Sequence, residues 1–190
     1  PNGEDHTEEL LQPDENHLTS TAYYYRMAGI LSYFAETTGR SDESAKYKGL
    51  SENIREAFNA RYLDDATGTY SSARGLAYRQ TPNIIALAFG LVPEKLIEMT
   101  AAALAHDIEI TRNGHLWTGI IGTRYILDVL ADNGYKDLAF SLIECDTYPS
   151  WGYWFKNGAT SMYESWELDS RSRNHHMYGT IDSWFFEYLS

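Results

Sequence analysis

Apolar residues recur at helical spacing along almost the whole of this 190-residue chain, and no stretch alternates convincingly as a strand would. Met27, Ile30, Leu31, Phe34 and Ala35 fall at i, i+3, i+4, i+7 and i+8, which predicts one buried helix face, with Gly39 as its C-terminal cap. Ser41 reads as the N-cap of a second helix, with Asp42 and Glu43 in its first turn and Leu50, Ile54, Ala57 and Phe58 as its buried stripe. The turn-rich DDATGTYSSARG of residues 64–75 ends that hairpin. Thr81-Pro82 reads as N-cap and first residue of a short helix carrying Ile84, Ile85, Ala88 and Phe89 and ended by Gly90. Pro93 opens the next helix, with Leu96, Met99 and Ala103, and another spans about 118–132 and stops at Asn133-Gly134. Tyr135, Leu138, Ala139, Leu142 and Ile143 mark its successor. Ile181, Trp184, Phe185, Tyr188 and Leu189 mark the last.

Seven helices with mostly short links predict an all-α fold of stacked antiparallel hairpins. No period of about 34 residues repeats, which disfavours a tetratricopeptide-type array. A bundle, an irregular solenoid and a curved double layer closing into an α/α toroid all fit this pattern. The first seventeen residues, PNGEDHTEELLQPDENH, read as an irregular lead-in cut from the middle of a domain.

Net charge is −12, so phosphate backbones and anionic lipid are poor partners, and a neutral ligand suits the chain better. Cys145 is the only cysteine, which leaves no disulfide framework and no thiolate zinc site. No apolar run approaches the length of a membrane span. The compartment stays open.

Fifteen Tyr and five Trp make the chain rich in rings that suit both cores and sugar-binding clefts. They crowd the tail, where Glu164 stands among Trp151, Tyr153, Trp154, Tyr163 and Trp166, with His175-His176 just downstream. In a toroid the loops at the inner helix ends carry the site. Glu164 suits such a loop: it follows the small residues Gly158-Ala159-Thr160 and precedes a polar stretch. Read functionally, Glu164 is a general base and His175 a donor to a sugar hydroxyl. Read structurally, it is a solvated acid beside packed aromatics. Glycoside hydrolysis takes two carboxyl groups, yet none of Asp107, Glu109, Asp128, Asp132, Glu144 and Asp146 stands out as the second. His175 and His176 are adjacent, so their rings would diverge on a helix, and no third ligand sits at metal spacing. Gly119 and Gly122 in TGIIGT have no preceding strand and no Lys, which favours close helix packing over a phosphate loop.

Several segments match a known pattern in order: RQTPNIIALAFGLVP, GHLWTGIIGTRYILDVLADNGYKDLAFSLI, PSWGYW, GATSMYESW, RNHHMYG and SWFFEY. They make the chain similar to the bacterial α-L-rhamnosidases of glycoside hydrolase family 78, in the later part of their (α/α)6-barrel catalytic domain. The resemblance spreads over nearly all of residues 1–190. It implies part, about half, of an (α/α)6 barrel and an inverting cleavage of terminal α-L-rhamnosides, with no cofactor. Glu164, matching the glutamate of the family's WE-x-W motif, would be the general base, and His175, matching the His of NHY, would contact rhamnose. Trp151 and Trp166 would help wall the pocket or brace the backbone around Glu164, and Tyr163 and Trp117 would join the substrate contacts.

Three departures stand out. Tyr163 replaces the usual Trp, the link from Glu164 to His175 is short, and the earlier acidic motif holding the general acid has no match. The resemblance therefore implies a fragment, nearly inert alone and prone to self-association through its open half-barrel. Its partner would be a rhamnose-containing oligosaccharide or glycoside, with no nucleic acid and no membrane. Two alternatives stay open: a non-catalytic helical sugar-binding or scaffold module, and an α/α-barrel glycosidase for another sugar.

Overall fold

The computed structural model describes residues 13–73 and 76–188. Among them are eight α-helices, α1 Pro13–Thr37, α2 Ser41–Tyr62, α3 Gln80–Ala88, α4 Ile97–His106, α5 Ile120–Asp132, α6 Lys136–Glu144, α7 Trp151–Lys156 and α8 Ile181–Tyr188. Residues 1–12 of the expected lead-in lie outside the described residues, and 13–17 form the start of α1 rather than an irregular stretch. Leu189, expected in the last helix, also lies outside them.

α1 and α2 pack along their lengths as the first hairpin, joined by a turn whose Gly39 has φ +76°. α5 is the hub of the rest: α3, α4, α6 and α8 all pack on it. The outcome is an all-α stack of hairpins that forms part of an α/α barrel. No described helix is long and apolar enough to cross a membrane.

α3 holds the stack together because it is buried on every side. Gln80 and the run Pro82–Ala86 are all buried, and neighbouring residues face different cores. Ile84 joins a cluster with Leu104, Ile126, Leu130, Trp154 and Trp184, whereas Ile85 joins one with Leu18, Phe58, Tyr62, Tyr70 and Leu91. Its buried amides are paired there, Gln80 with Asp107 and the Trp117 N–H, and Asn83 with the Tyr70 N–H and the Arg79 carbonyl.

Several elements depart from the periodicity. On α1 the expected stripe is wrong: Met27 is 60% exposed and Phe34 58%, Ile30 and Leu31 are exposed as well, and only Ala35 is buried. The helix turns Leu18, Ala22 and Ala28 inward instead, the first two into the cluster around Phe58 and Ile85. The large side chains are left with nothing among the described residues to cover them. On α2, Ile54 and Phe58 are buried as expected and Ala57 is exposed. α4 is rotated by about one residue, burying Thr100, Ala101, Leu104 and Ala105 and leaving Met99 exposed, since a 3-10 turn at Glu94–Leu96 precedes it. Ser41 and Thr81 lie inside their helices, which Arg40 and Arg79 precede without side-chain caps.

Two elements were unexpected. Leu63–Asp64 pairs antiparallel with Thr69–Tyr70 in a two-stranded hairpin, pinned to α4 by the Thr100 hydroxyl donating to the Gly68 carbonyl at 2.6 Å. α7 is a six-residue helix capped by Ser150, whose Oγ accepts the Tyr153 N–H at 3.0 Å. Its sequence WGYWFK has no apolar period to betray it.

Gly122 fulfils the close-packing expectation. A Cβ there would stand 2.6 Å from Thr81 Oγ1 and 2.8 Å from Thr118 Cγ2, where α5 meets the start of α3. Overpacking of this kind costs about 1–3 kcal/mol. Gly122→Ala is therefore expected to lower stability by about that amount, and urea unfolding checks it; an unchanged midpoint would mean that the two threonines move aside freely.

Candidate functional site

The tail is built around three buried tryptophans, Trp151, Trp154 and Trp166, with Tyr178 against them. Trp154 stacks on Trp166 with centroids 4.5 Å apart, Trp151 meets Trp166 edge-on at 5.4 Å, and Tyr178 lies 4.5 Å from Trp166. Each indole N–H donates to a carbonyl on a different segment: Trp151 to Tyr178 at 3.0 Å, Trp154 to Trp166 at 2.9 Å, and Trp166 to Thr118 at 2.8 Å. A buried N–H left unpaired costs about 1–3 kcal/mol, so these bonds dictate how the rings sit. The cluster clamps loop 163–167 against the start of α5.

Backbone bonds fold the loop on itself. The Glu164 N–H donates to the Ser172 carbonyl at 2.9 Å, and the His175 N–H donates to the Met162 carbonyl at 2.8 Å. The Ser170 hydroxyl accepts the Ser165 N–H at 3.2 Å and donates to the Ser172 carbonyl. These rungs hold Glu164 and His175 on facing arms of one loop. Glu164 is exposed. His175 is half-buried, and its Nδ1 is buried without a hydrogen bond. Its ring runs nearly parallel to that of His176, 6.1 Å away, rather than diverging, because His175 is extended and precedes the 3-10 turn His176–Tyr178.

Beside this loop lies a cavity of about 230 Å³. Arg79, Thr81 and Pro82 line it at the start of α3, residues 117–122 leading into α5, and Pro149, Ser165, Trp166, Glu167 and Tyr178 from the tail, with Asn16 and Thr19 from α1. Among the residues singled out from the sequence, Trp117 and Trp166 line the cavity. Glu164, Tyr163, His175 and Trp151 do not, although Glu164 adjoins the lining residue Ser165. Trp151 is 1% exposed, so in this chain it braces Trp166 rather than offering a sugar-stacking face. Tyr163 packs 5.6 Å from Trp154, under the Arg173 guanidinium.

Sequence reading passed over Glu167, a half-buried carboxylate in the cavity wall that accepts the Tyr148 hydroxyl at 3.0 Å. Burial, and then the nearby Glu167 charge, hold the Tyr148 and Tyr178 phenols well above their usual range. The signal was the second acid in YESWE, three residues past the first, which a motif centred on Glu164 hides. Among the described residues no group of three or more His, Cys, Asp or Glu is placed to hold a metal.

Stacked hairpins with an aromatic-braced cleft define an α/α-barrel glycosidase scaffold. The chain belongs to the bacterial alpha-L-rhamnosidase six-hairpin glycosidase domain family, whose model matches residues 4–189. It is 32% identical to an alpha-L-rhamnosidase of Alteromonas sp. (strain LOR) over 180 residues, covering 90% of this chain and 19% of that protein. An alpha-L-rhamnosidase of Formosa agariphila is 33% identical over 182 residues, with 90% of this chain and 18% of that protein covered. Among solved structures, the alpha-L-rhamnosidase from Dictyoglumus thermophilum superposes with a TM-score of 0.82 at 39% identity, covering 90% of this chain and 19% of that one. The Streptomyces avermitilis alpha-L-rhamnosidase complexed with L-rhamnose gives 0.81 at 31% identity, with 89% and 16% covered. The chain thus spans about a fifth of the length of the curated relatives it matches.

The clamp makes a testable demand. Trp154→Phe removes the donor to the Trp166 carbonyl and should cost about 1–3 kcal/mol. A chemical denaturation curve checks this; a loss under a few tenths of a kcal/mol would mean that stacking alone holds the loop.

Proposed function

We propose that this chain is part of the catalytic domain of a glycoside hydrolase that releases terminal α-L-rhamnose with inversion, Glu164 being the general base. The observation that carries the reading is the closed loop 162–175, which presents an exposed Glu164 beside the cavity-lining Ser165 and Trp166. The names of the relatives, and the L-rhamnose held by the Streptomyces structure, support the choice of sugar.

In this mechanism Glu164 takes a proton from the water that attacks the anomeric carbon opposite the departing group. A carboxylic acid from outside this chain protonates the leaving oxygen as the glycosidic bond breaks. The two carboxyl groups of such a pair stand about 6.5–9.5 Å apart, which leaves room for that water. His175, on the arm of the loop facing Glu164, donates to a sugar hydroxyl. Trp117 takes the sugar's apolar face, where burial removes hydrophobic area from water, while Trp166, buried against Trp154 and Tyr178, backs the cavity wall. Tyr163 serves at one remove, through its packing on Trp154.

A second reading draws on the cavity itself. Glu167 lines it and Glu164 does not, which leaves room for a sugar-binding module in which neither acid performs chemistry. Turnover of an aryl α-L-rhamnoside by the intact protein carrying this chain separates the readings. Glu164→Gln should lower kcat about 10²–10⁴-fold with little change in KM, whereas Glu167→Gln should act mainly on KM. A Glu164→Gln enzyme of undiminished rate would remove Glu164 from the chemistry, and an inert parent would favour the binding module.

The exposed Met27, Ile30, Leu31 and Phe34 of α1 support a further part of the reading: this face packs on another apolar surface, and the 190-residue chain on its own self-associates through it. Light scattering is expected to show oligomers that dissociate on a Met27→Glu, Phe34→Glu double change. A monodisperse monomer would contradict this.

A further inference from the structure

Asp107, Gln80 and Arg112 converge on one cavity residue, Trp117, from two directions. Asp107 opens the wide π turn Asp107–Thr111 that ends α4, and it is 5% exposed. Its Oδ2 accepts a hydrogen bond from Gln80 Nε2 at 2.9 Å. Gln80, itself 1% exposed, accepts the Trp117 backbone N–H on Oε1 at 2.6 Å. Arg112 closes the π turn by donating its backbone N–H to the Asp107 carbonyl at 2.8 Å. Its guanidinium carbon then stands 4.3 Å from the centroid of the Trp117 ring. Asp107 therefore anchors both sides: its carboxylate holds the amide that binds the Trp117 backbone, and its carbonyl fixes the backbone of the residue whose cation covers the ring.

The placement of Arg112 is not the one a simple ion pair would choose. Its Nε lies 3.9 Å from Asp107 Oδ2, too far for a hydrogen bond, and is buried with no other partner. Burying an unpaired N–H is costly, and the compensation in view is the face of Trp117. A broad, delocalised guanidinium suits the face of a ring in a way that a compact, strongly hydrated ammonium does not. π turns within helices often mark functional sites, and this one carries Arg112 at its end.

We propose that Arg112, held by Asp107, is a positioning residue: it sets the orientation of Trp117 in the cavity wall and so tunes affinity for a neutral sugar ring without entering the chemical step. The proposal rests on the reading of the cavity as a rhamnoside site. Arg112 acts through Trp117, so its effect on ligand affinity disappears when the ring is absent.

A double-mutant cycle tests this in the intact protein carrying this chain, with kcat and KM measured on an aryl α-L-rhamnoside. The set is the parent, Arg112→Met, Arg112→Lys, Trp117→Ala, and Arg112→Met combined with Trp117→Ala. Loss of the cation should raise KM about fivefold, while kcat stays within about twofold. Arg112→Lys should recover only part of the affinity, and Arg112→Met should add nothing to Trp117→Ala. Additive effects on KM, or a loss confined to kcat, would overturn the proposal. Should Arg112→Met not fold, Arg112→Lys takes its place in the cycle. If the parent turns over no rhamnoside, the functional reading fails, and crystal structures of the parent and the Arg112 variant judge the positioning: a displaced Trp117 ring upholds it and an unmoved one overturns it.

Discussion

Three indole N–H groups organise the candidate site. An indole has one donor and no acceptor, so a buried tryptophan is satisfied only when an acceptor lies near the plane of its ring, in line with the N–H. Trp151, Trp154 and Trp166 each meet that demand on a different stretch of backbone, at residues 178, 166 and 118. Each ring is then fixed in rotation as well as in depth. Loop 162–175 has no α-helix or strand to hold it, and ordering such a loop costs conformational entropy at every residue. The stacked rings, each pair worth about 0.5–1.5 kcal/mol beyond its buried area, help to offset that cost.

The cavity follows from this clamp. The bond from Trp166 to the Thr118 carbonyl holds the tail against the start of α5 as one wall, and Gly122 lets α5 and the start of α3 meet closely beside it. The walls that result combine neutral groups with one cation, Arg79, and one anion, Glu167. Such a lining suits a ligand rich in hydroxyls and poor in charge, which agrees with a strongly acidic chain that has little to offer an anion. Glu164 and Glu167 divide the two environments of the loop: the first is exposed, and the second is half-buried and held by Tyr148.

Much of the fold was legible because helix formation leaves a local record. The period of 3.6 residues identified seven of the eight described helices, and Gly39, Gly90 and Gly134 stand at positive φ where caps were expected. α7 escaped because Trp and Tyr are placed there by the aromatic cluster rather than by a helix stripe. On α1 the period gave a helix but the wrong face. Met27 and Phe34 carry the same apolar signal whether or not anything covers them, while Ala22 and Ala28, which do face inward, carry little. The Asp107, Gln80, Arg112 and Trp117 group was illegible for a different reason, since its hydrogen bonds join residues 27 and 37 apart in the chain.

By itself the sequence determined that this chain is helical, where most of its helices stop, and to which family of hairpin domains it belongs, because periodicity, glycine caps and ordered motifs are properties of neighbouring residues. The tertiary structure decided which apolar faces are buried, that Trp151 braces while Trp117 lines the cavity, and that Glu167 rather than Glu164 sits in the cavity wall. Those outcomes depend on what stands opposite a side chain once distant segments meet. No local pattern encodes that, because burial and hydrogen-bond partnership belong to pairs of segments and not to either segment alone.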